Sequence, residues 1–258
     1  PLPEQHKIVE ILEDHLSRLD AALSDVKHTK SLVYQYKSAV LKLVISGNYF
    51  DFDMAEMTIQ DVANVMNGDR GKNYPNKSAR VENGIPFINA GHLDNDRINM
   101  EEMDYISNDR YKLLGAGKIE IGDLLFCLRG SLGKVALNDK LSQGAIASSL
   151  AIIRPNELIA PKYLYYYLMS PLASIEIKKH DNGTAQPNLS AANLKKFEIP
   201  VPNLEQQLRV VEYLDTEFSR ISRVIDTCQT VIMNANGLRK SMLNAGFTGQ
   251  LTKEVASV

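Results

Sequence analysis

The chain has 258 residues, 44% of them hydrophobic and 23% charged, with a formal net charge of −2. That is the composition of an ordinary soluble protein with room for one large domain or two moderate ones. It excludes a protein that coats nucleic acid through charge alone, but not a reader with local basic patches.

Two cysteines, Cys127 and Cys228, are too few and too far apart for a CxxC zinc knuckle or a disulfide framework, which points to reduced thiols in a cytoplasmic protein. No apolar run approaches the ~20 residues of a membrane span, and no N-terminal stretch resembles a signal peptide. The first residue is Pro1 rather than Met. The sequence therefore reads as a fragment, or as a chain whose natural start lies upstream.

The N-terminal segment steps by four and three through Ile8, Leu12, Leu16, Leu19, Leu23, Val26, Lys30, Val33, Lys37, Val40 and Val44, the spacing of a coiled-coil seam. Prolines at 1 and 3 precede it, and Gly47 closes it as glycine closes helices. About 40 helical residues at ~1.5 Å each make a rod of about 60 Å.

Residues 51–199 change character. Thr58 and Asp61 form an N-cap pattern that predicts a short helix with Ile59, Val62, Ala63, Val65 and Met66 inward, ending at Gly68. Short runs at 85–90, 118–129, 134–137 and 145–154 read as strands, the second and third joined by the glycine-punctuated turn 129–134. Residues 161–179 read as one helix burying a face rich in tyrosine. An α+β domain is the expectation for this block.

Its polar loops are its distinctive feature. The first holds Arg70, Lys72, Asn73, Lys77 and Arg80 around Tyr74. Cations there can neutralise phosphates while amide and guanidinium forks read base edges. The second is the turn with Arg129, Ser131 and Lys134, whose glycines let backbone N–H groups approach a phosphate. The third runs from Lys178 and Lys179 through Thr184 to Gln186. Asn73, Arg129 and Gln186 are the expected base readers. Each loop taken singly reads more readily as an ordinary surface loop than as a DNA contact.

Motifs of catalysis are missing from the sequence. There is no G-x-x-x-x-G-K-[ST], G-x-S-x-G, H-E-x-x-H or G-x-G-x-x-G, and no Asn/Asp-Pro-Pro-aromatic segment. His6, His15, His28, His92 and His180 are scattered, without ligand spacing to cysteine or carboxylate. The acidic pairs Glu101-Glu102 and Asp94/Asp96 read as solvated loops. The expectation is a non-enzymatic chain with no metal and no cofactor.

The C-terminal segment repeats the first. Residues 204–251 align without a gap to 2–49, with identities at Gln5/Gln207, Val9/Val211, Glu10/Glu212, Leu12/Leu214, Ser17/Ser219, Arg18/Arg220, Leu41/Leu243 and Gly47/Gly249. Val210, Leu214, Phe218, Ile221, Ile225, Cys228, Ile232, Ala235, Arg239, Met242 and Gly246 form the matching seam. A repeat split by ~150 unrelated residues is not a solenoid. Equal length and matched seams favour mutual, antiparallel pairing over two helices packed separately on a core. The expected division is a coiled-coil helix over 1–49, a globular domain over 50–200, a second coiled-coil helix over 201–251 and a tail over 252–258.

Two helix openings carry a family resemblance: Pro1-Leu-Pro-Glu-Gln-His-Lys-Ile-Val9 and Ile199-Pro-Val-Pro-Asn-Leu-Glu-Gln-Gln-Leu-Arg-Val-Val211. So do the helix endings Ser46-Gly47 and Phe247-Thr-Gly-Gln-Leu251, the Ile121-Gly-Asp-Leu-Leu-Phe…Arg129-Gly-Ser-Leu-Gly133 hairpin and the Asn182-Gly-Thr-Ala-Gln-Pro-Asn-Leu-Ser190 loop. Together they resemble the specificity subunits of type I restriction–modification systems. The resemblance implies a DNA target-recognition domain held between two conserved helices. It implies double-stranded DNA, methyltransferase subunits and a motor–nuclease subunit as partners, with methylation and cleavage residing in those partners. Members of that family carry domain–helix–domain–helix. Helix–domain–helix therefore implies one reader of half a split target, and a homodimer of such halves would read a palindromic split site. A coiled-coil interaction module whose central domain binds protein is the alternative.

Overall fold

A computed structural model describes residues 2–94, 97–181 and 188–253. It divides into two compact units: one of Pro1–Ala39 with Asp215–Val258, the other Val40–Leu214. In chain order the elements are α1 (Leu2–Ile45), β1 (Ala55–Thr58), α2 (Ile59–Val62), β2 (Ala63–Asn67), β3 (Arg80–Val81), β4 (Ile85–Ile88), β5 (Leu93–Asp94), β6 (Arg97–Ile98) and β7 (Tyr105–Ile106). Then come α3 (Asn108–Leu113), β8 (Leu124–Cys127), β9 (Val135–Leu137), β10 (Ala145–Ile146), β11 (Leu150–Pro155), α4 (Pro161–Met169), α5 (Pro171–His180), α6 (Ala191–Leu194), β12 (Glu198–Val201), α7 (Leu204–Phe247) and α8 (Gln250–Lys253). The mixed α+β class expected from the sequence is the one observed.

In the helical unit α1 and α7 run antiparallel. Gly246 lies against Leu12 and Ile8, Arg239 pairs with Asp20, and Lys37 sits 4.8 Å over the Phe218 ring. Low numbers on one helix thus meet high numbers on the other. Every seam position named from the sequence is buried or half-buried on its helix. Two of the polar seam residues have partners on the other helix, Arg239 a carboxylate and Lys37 an aromatic face, which favours this register over its neighbours.

Among the described residues, four sheets build the 40–214 unit. The largest antiparallel one has the order β2-β11-β8-β9. A second has the order β10-β4-β7-β3, with β10 parallel to β4 and the rest antiparallel. β1 pairs with β12, and β5 with β6. Residues Leu150 to Ile153 of β11 are buried at every position, as a central strand covered on both faces must be. Ile88, Leu125, Cys127, Ile146, Leu150 and Ile152 share one cluster that joins the two larger sheets. On the other face, α4 is anchored by Tyr163 and Tyr167, whose hydroxyls donate to Pro200 O and Glu198 O, each at 2.7 Å.

The ends of the long helices are fixed by local chemistry. Gly47 takes φ +78°, which an L side chain rarely adopts, and closes α1. Asn203 accepts from the Gln206 N–H at 3.0 Å while Gln206 accepts from the Asn203 N–H at 3.3 Å, a reciprocal cap that starts α7. One turn on, fully buried Gln207 accepts from Ala160 N–H at 2.7 Å and donates to Leu158 O and Pro202 O at 2.9 and 2.8 Å.

Several expected elements are corrected. The helix expected after Thr58 is a single turn, Ile59–Val62, capped as expected by Asp61, which accepts from the Thr58 N–H at 2.8 Å. Residues 63–67 leave it for β2, because Ala63 and Val65 alternate with outward Asn64 and pair with β11. The expected strand 118–129 is regular only over Leu124–Cys127, since a turn at Gly122 (φ +94°) interrupts it. The run 145–154 is two strands in different sheets. The helix expected over 161–179 breaks at Ser170: Pro171 supplies no N–H and disfavours helical backbone at the residue before it, and Ser170 instead caps α5.

Candidate nucleic-acid interface

The register of the largest sheet sets the geometry of the polar loops. Asn67 lies opposite Ala151, Leu150 opposite Cys127, and Val135 opposite Phe126. One end of the sheet is therefore formed by the end of β2, the start of β11, the end of β8 and the start of β9. The first loop leaves from β2 and the second connects β8 to β9. Both emerge from that end, on either side of the start of β11.

The second turn is built by Cys127 N–H donating to Lys134 O at 2.8 Å and Gly133 N–H to Cys127 O at 3.0 Å. Gly130 and Gly133 take φ of +79° and +87°. A Cβ at Gly133 would stand 3.0 Å from Ile177 Cδ1 of α5, so the turn abuts that helix. α5 ends in Lys178, Lys179 and His180. Arg129 bridges to Asn188, and Leu189 N–H donates to Leu128 O at 3.0 Å. Thus the basic end of α5 joins the second turn. Thr184 and Gln186 lie outside the described residues.

The first loop is docked rather than loose. Asp69 accepts from Gly71 N–H at 2.7 Å and from Gly115 N–H at 2.9 Å, Asn73 Nδ2 donates to Leu113 O at 2.9 Å, and Arg70 Nη2 donates to Ser148 O at 3.3 Å. Arg70, Lys72 and Lys77 are exposed, as are Arg129, Ser131, Lys134, Lys178 and Lys179. Arg80 is turned inward: Nη1 donates to Asp104 at 2.5 Å, and the guanidinium lies 5.8 Å over the Phe87 ring. Lys134 Nζ donates to Leu93 O at 3.1 Å, and Lys179 lies 3.4 and 3.5 Å from Glu176 and Glu198.

Docking brings in cations that the sequence reading missed. Lys118 Nζ reaches Lys112 O at 3.4 Å and sits 5.1 Å over the Tyr111 ring, beside the segment that Asp69 and Asn73 grip. A groove of about 690 Å³ runs there between Gly68, Asp69 and Arg70 on one side and Gly115, Gly117 and Lys118 on the other. No local pattern links residues 112–118 to residues 69–73. Only the fold does.

The N–H groups of Gly71 and then Gly115 hold the Asp69 carboxyl below the usual carboxylate range. A depressed folded-state value means that the tie is complete above the ordinary carboxylate range (~4) and is lost as pH falls through the lower value. The Gly71 and Gly115 amide resonances should therefore be constant above that range and shift together below it. Independent titration of the two would show that Asp69 does not bridge them.

Among the described residues no group of three or more His, Cys, Asp or Glu is placed to hold a metal ion. Burial pushes the Cys127 thiol up, the opposite of an activated nucleophile. Among the described residues no helix is long and apolar enough to cross a membrane.

Residues 52–225 match the family model described as the type I restriction modification DNA specificity domain. That is more than half of the chain, and the chain belongs to this family. It is similar to the specificity subunit of the type I restriction enzyme EcoBI from Escherichia coli, at 21% identity over 98% of this chain and 58% of that protein. It is also similar to that of MjaVIII from Methanocaldococcus jannaschii, at 22% identity over 97% of this chain and 61% of that protein. Among solved structures, the HsdS subunit from Thermoanaerobacter tengcongensis has the same fold, with TM-score 0.62 and 21% identity over 96% of this chain and 59% of that one. So does a chain from a structure of complex assembly and conformational transition in the type I R-M system, with TM-score 0.66 and 20% identity over 96% and 60%. The chain spans about three fifths of the length of these relatives.

Proposed function

We propose that this chain reads DNA sequence for a type I restriction–modification complex, recognising one half of a split target through the loop end of its 40–214 unit. The observation that carries the reading is the convergence of polar, cationic loops at one end of the β2-β11-β8-β9 sheet, in a chain of this family. Exposed Arg70, Lys72, Lys77, Lys134, Lys178 and Lys179 neutralise phosphates, with Lys112 and Lys118 beside them. Ser131 and Thr184 add polar contacts, and Arg129 and Gln186 read base edges. Asn73 and Arg80, spent on Leu113 and Asp104, shape the first loop.

In this reading residues 50–200 are the target-recognition domain. The helices of 1–49 and 201–251 are a rigid spacer and the surface for methyltransferase subunits, with a motor–nuclease subunit joining the assembly. Methylation and cleavage lie in those partners, and the work is done in the cytoplasm. Two copies of the chain, or one copy with a second such domain, supply the two half-sites.

Selection of bound duplexes from a randomised pool tests the reading. The expected result is enrichment of one short motif. A pool that stays random after repeated selection, with binding competed equally by any duplex, overturns it in favour of a protein-binding module.

A further inference from the structure

Resting on that DNA-reading proposal, we infer that Ser148 and Ser149 present their hydroxyls to base edges at the centre of the interface and help set sequence preference.

Residues 147–149 are the crossing between the two larger sheets: β10 ends at Ile146 in one, and β11 begins at Leu150 in the other. The crossing opens at the same sheet end as the first and second loops, and it touches both. Arg70 of the first loop donates to Ser148 O at 3.3 Å, and Leu128, at the base of the second, donates its N–H to Ser149 O at 2.9 Å. A duplex held by both loops passes over this crossing.

The crossing is also held in place on every side. Ile146 N–H donates to Gly117 O at 2.9 Å, Ala147 N–H to Ile88 O at 2.7 Å and Leu150 N–H to Ala147 O at 3.0 Å. Gly68 packs so closely that a Cβ there would stand 2.8 Å from both Ile146 O and Ala147 O. Backbone groups make these ties, and neither serine hydroxyl is hydrogen bonded to another described residue. Both serines are half-exposed. Preorganised hydroxyls, each one donor and two acceptors, suit base-edge reading and add no charge.

The uncharged character gives a distinctive test. The full chain with Ser148→Ala and Ser149→Ala is compared with the unaltered chain for affinity to the selected duplex and to a scrambled one, over a range of salt. The expected result is a drop of about tenfold in the ratio of the two affinities, with the salt slope and thermal midpoint unchanged. A ratio kept within about twofold overturns the inference while the DNA-reading proposal stands. If the unaltered chain itself does not distinguish the duplexes, both fall. The two single variants carry the same comparison should the double variant fold poorly.

Discussion

Asp123→Ala is expected to destabilise the 40–214 unit by about 3–5 kcal/mol, the cost of stripping one partner from a buried ion pair. The Asp123 side chain is 1% exposed and accepts from Arg154 Nε at 2.7 Å, Arg154 Nη2 at 2.9 Å and the Glu120 N–H at 2.7 Å. Arg154, on β11, is 30% exposed, so the variant leaves a half-buried guanidinium without its fork partner and a backbone N–H without an acceptor. Glu120 also reaches Arg154 at 2.8 Å but is 67% exposed, so water screens that pair. Glu120→Ala should accordingly cost under about 1 kcal/mol. Urea unfolding followed by circular dichroism measures both. A loss under ~1 kcal/mol for Asp123→Ala would show that the pair is as solvated as its neighbour.

Removing Arg70, Lys72 and Lys77 together is expected to flatten the salt dependence of DNA binding, lowering the slope of log K against log salt by about 3, roughly 0.9 for each phosphate contact. The three side chains are exposed and come from the first loop, which leaves the sheet end at β2. Truncating them removes little packing: among the described residues the one tie lost is the 3.3 Å hydrogen bond from Arg70 to Ser148. Arg80→Ala is the internal comparison. Its charge is spent on Asp104, so it should change thermal stability and leave the slope alone. A triple variant with the wild-type slope would move the DNA away from this end of the sheet.

The helices were legible because their information is local and periodic. Seam positions from Ile8 to Val44 and from Val210 to Gly246 can be named from spacing alone, and each is buried or half-buried. Gly47 and Gly249 both take the positive φ that a helix-closing glycine permits. In the domain, legibility fell with element length. β3, β5, β6, β7 and β10 are two residues each, too short to display a period, and they exist because neighbouring strands accept them. Val65 and Met66 illustrate the competition. A cap at Thr58 and apolar spacing favour helix, yet pairing with Ile153 and Ile152 of β11 wins after one turn.

The candidate site was legible as three loops and illegible as one surface. Residue type marked Arg70, Lys72 and Arg129 as cations in turns. Nothing in the sequence says that Asn73 is spent on Leu113, that Arg80 faces Asp104, or that Lys118 lies beside the first loop. Those facts depend on pairings across tens of residues, as when Asp69 accepts from Gly115.

The crossing between the two larger sheets has a consequence for the timescale of the interface. Binding loops are usually drawn from the least stable parts of a protein, and their amides exchange with solvent through small local openings. Here the amides of Ala147 and Leu150 are held by Ile88 and by Ala147 itself, inside a segment that belongs to both sheets. Opening it breaks the ties to Ile88, Gly117 and Leu128, so those amides are expected to exchange more slowly than exposed loop amides. On the proposed DNA-reading role, a bound duplex would meet a centre already held in place by backbone hydrogen bonds.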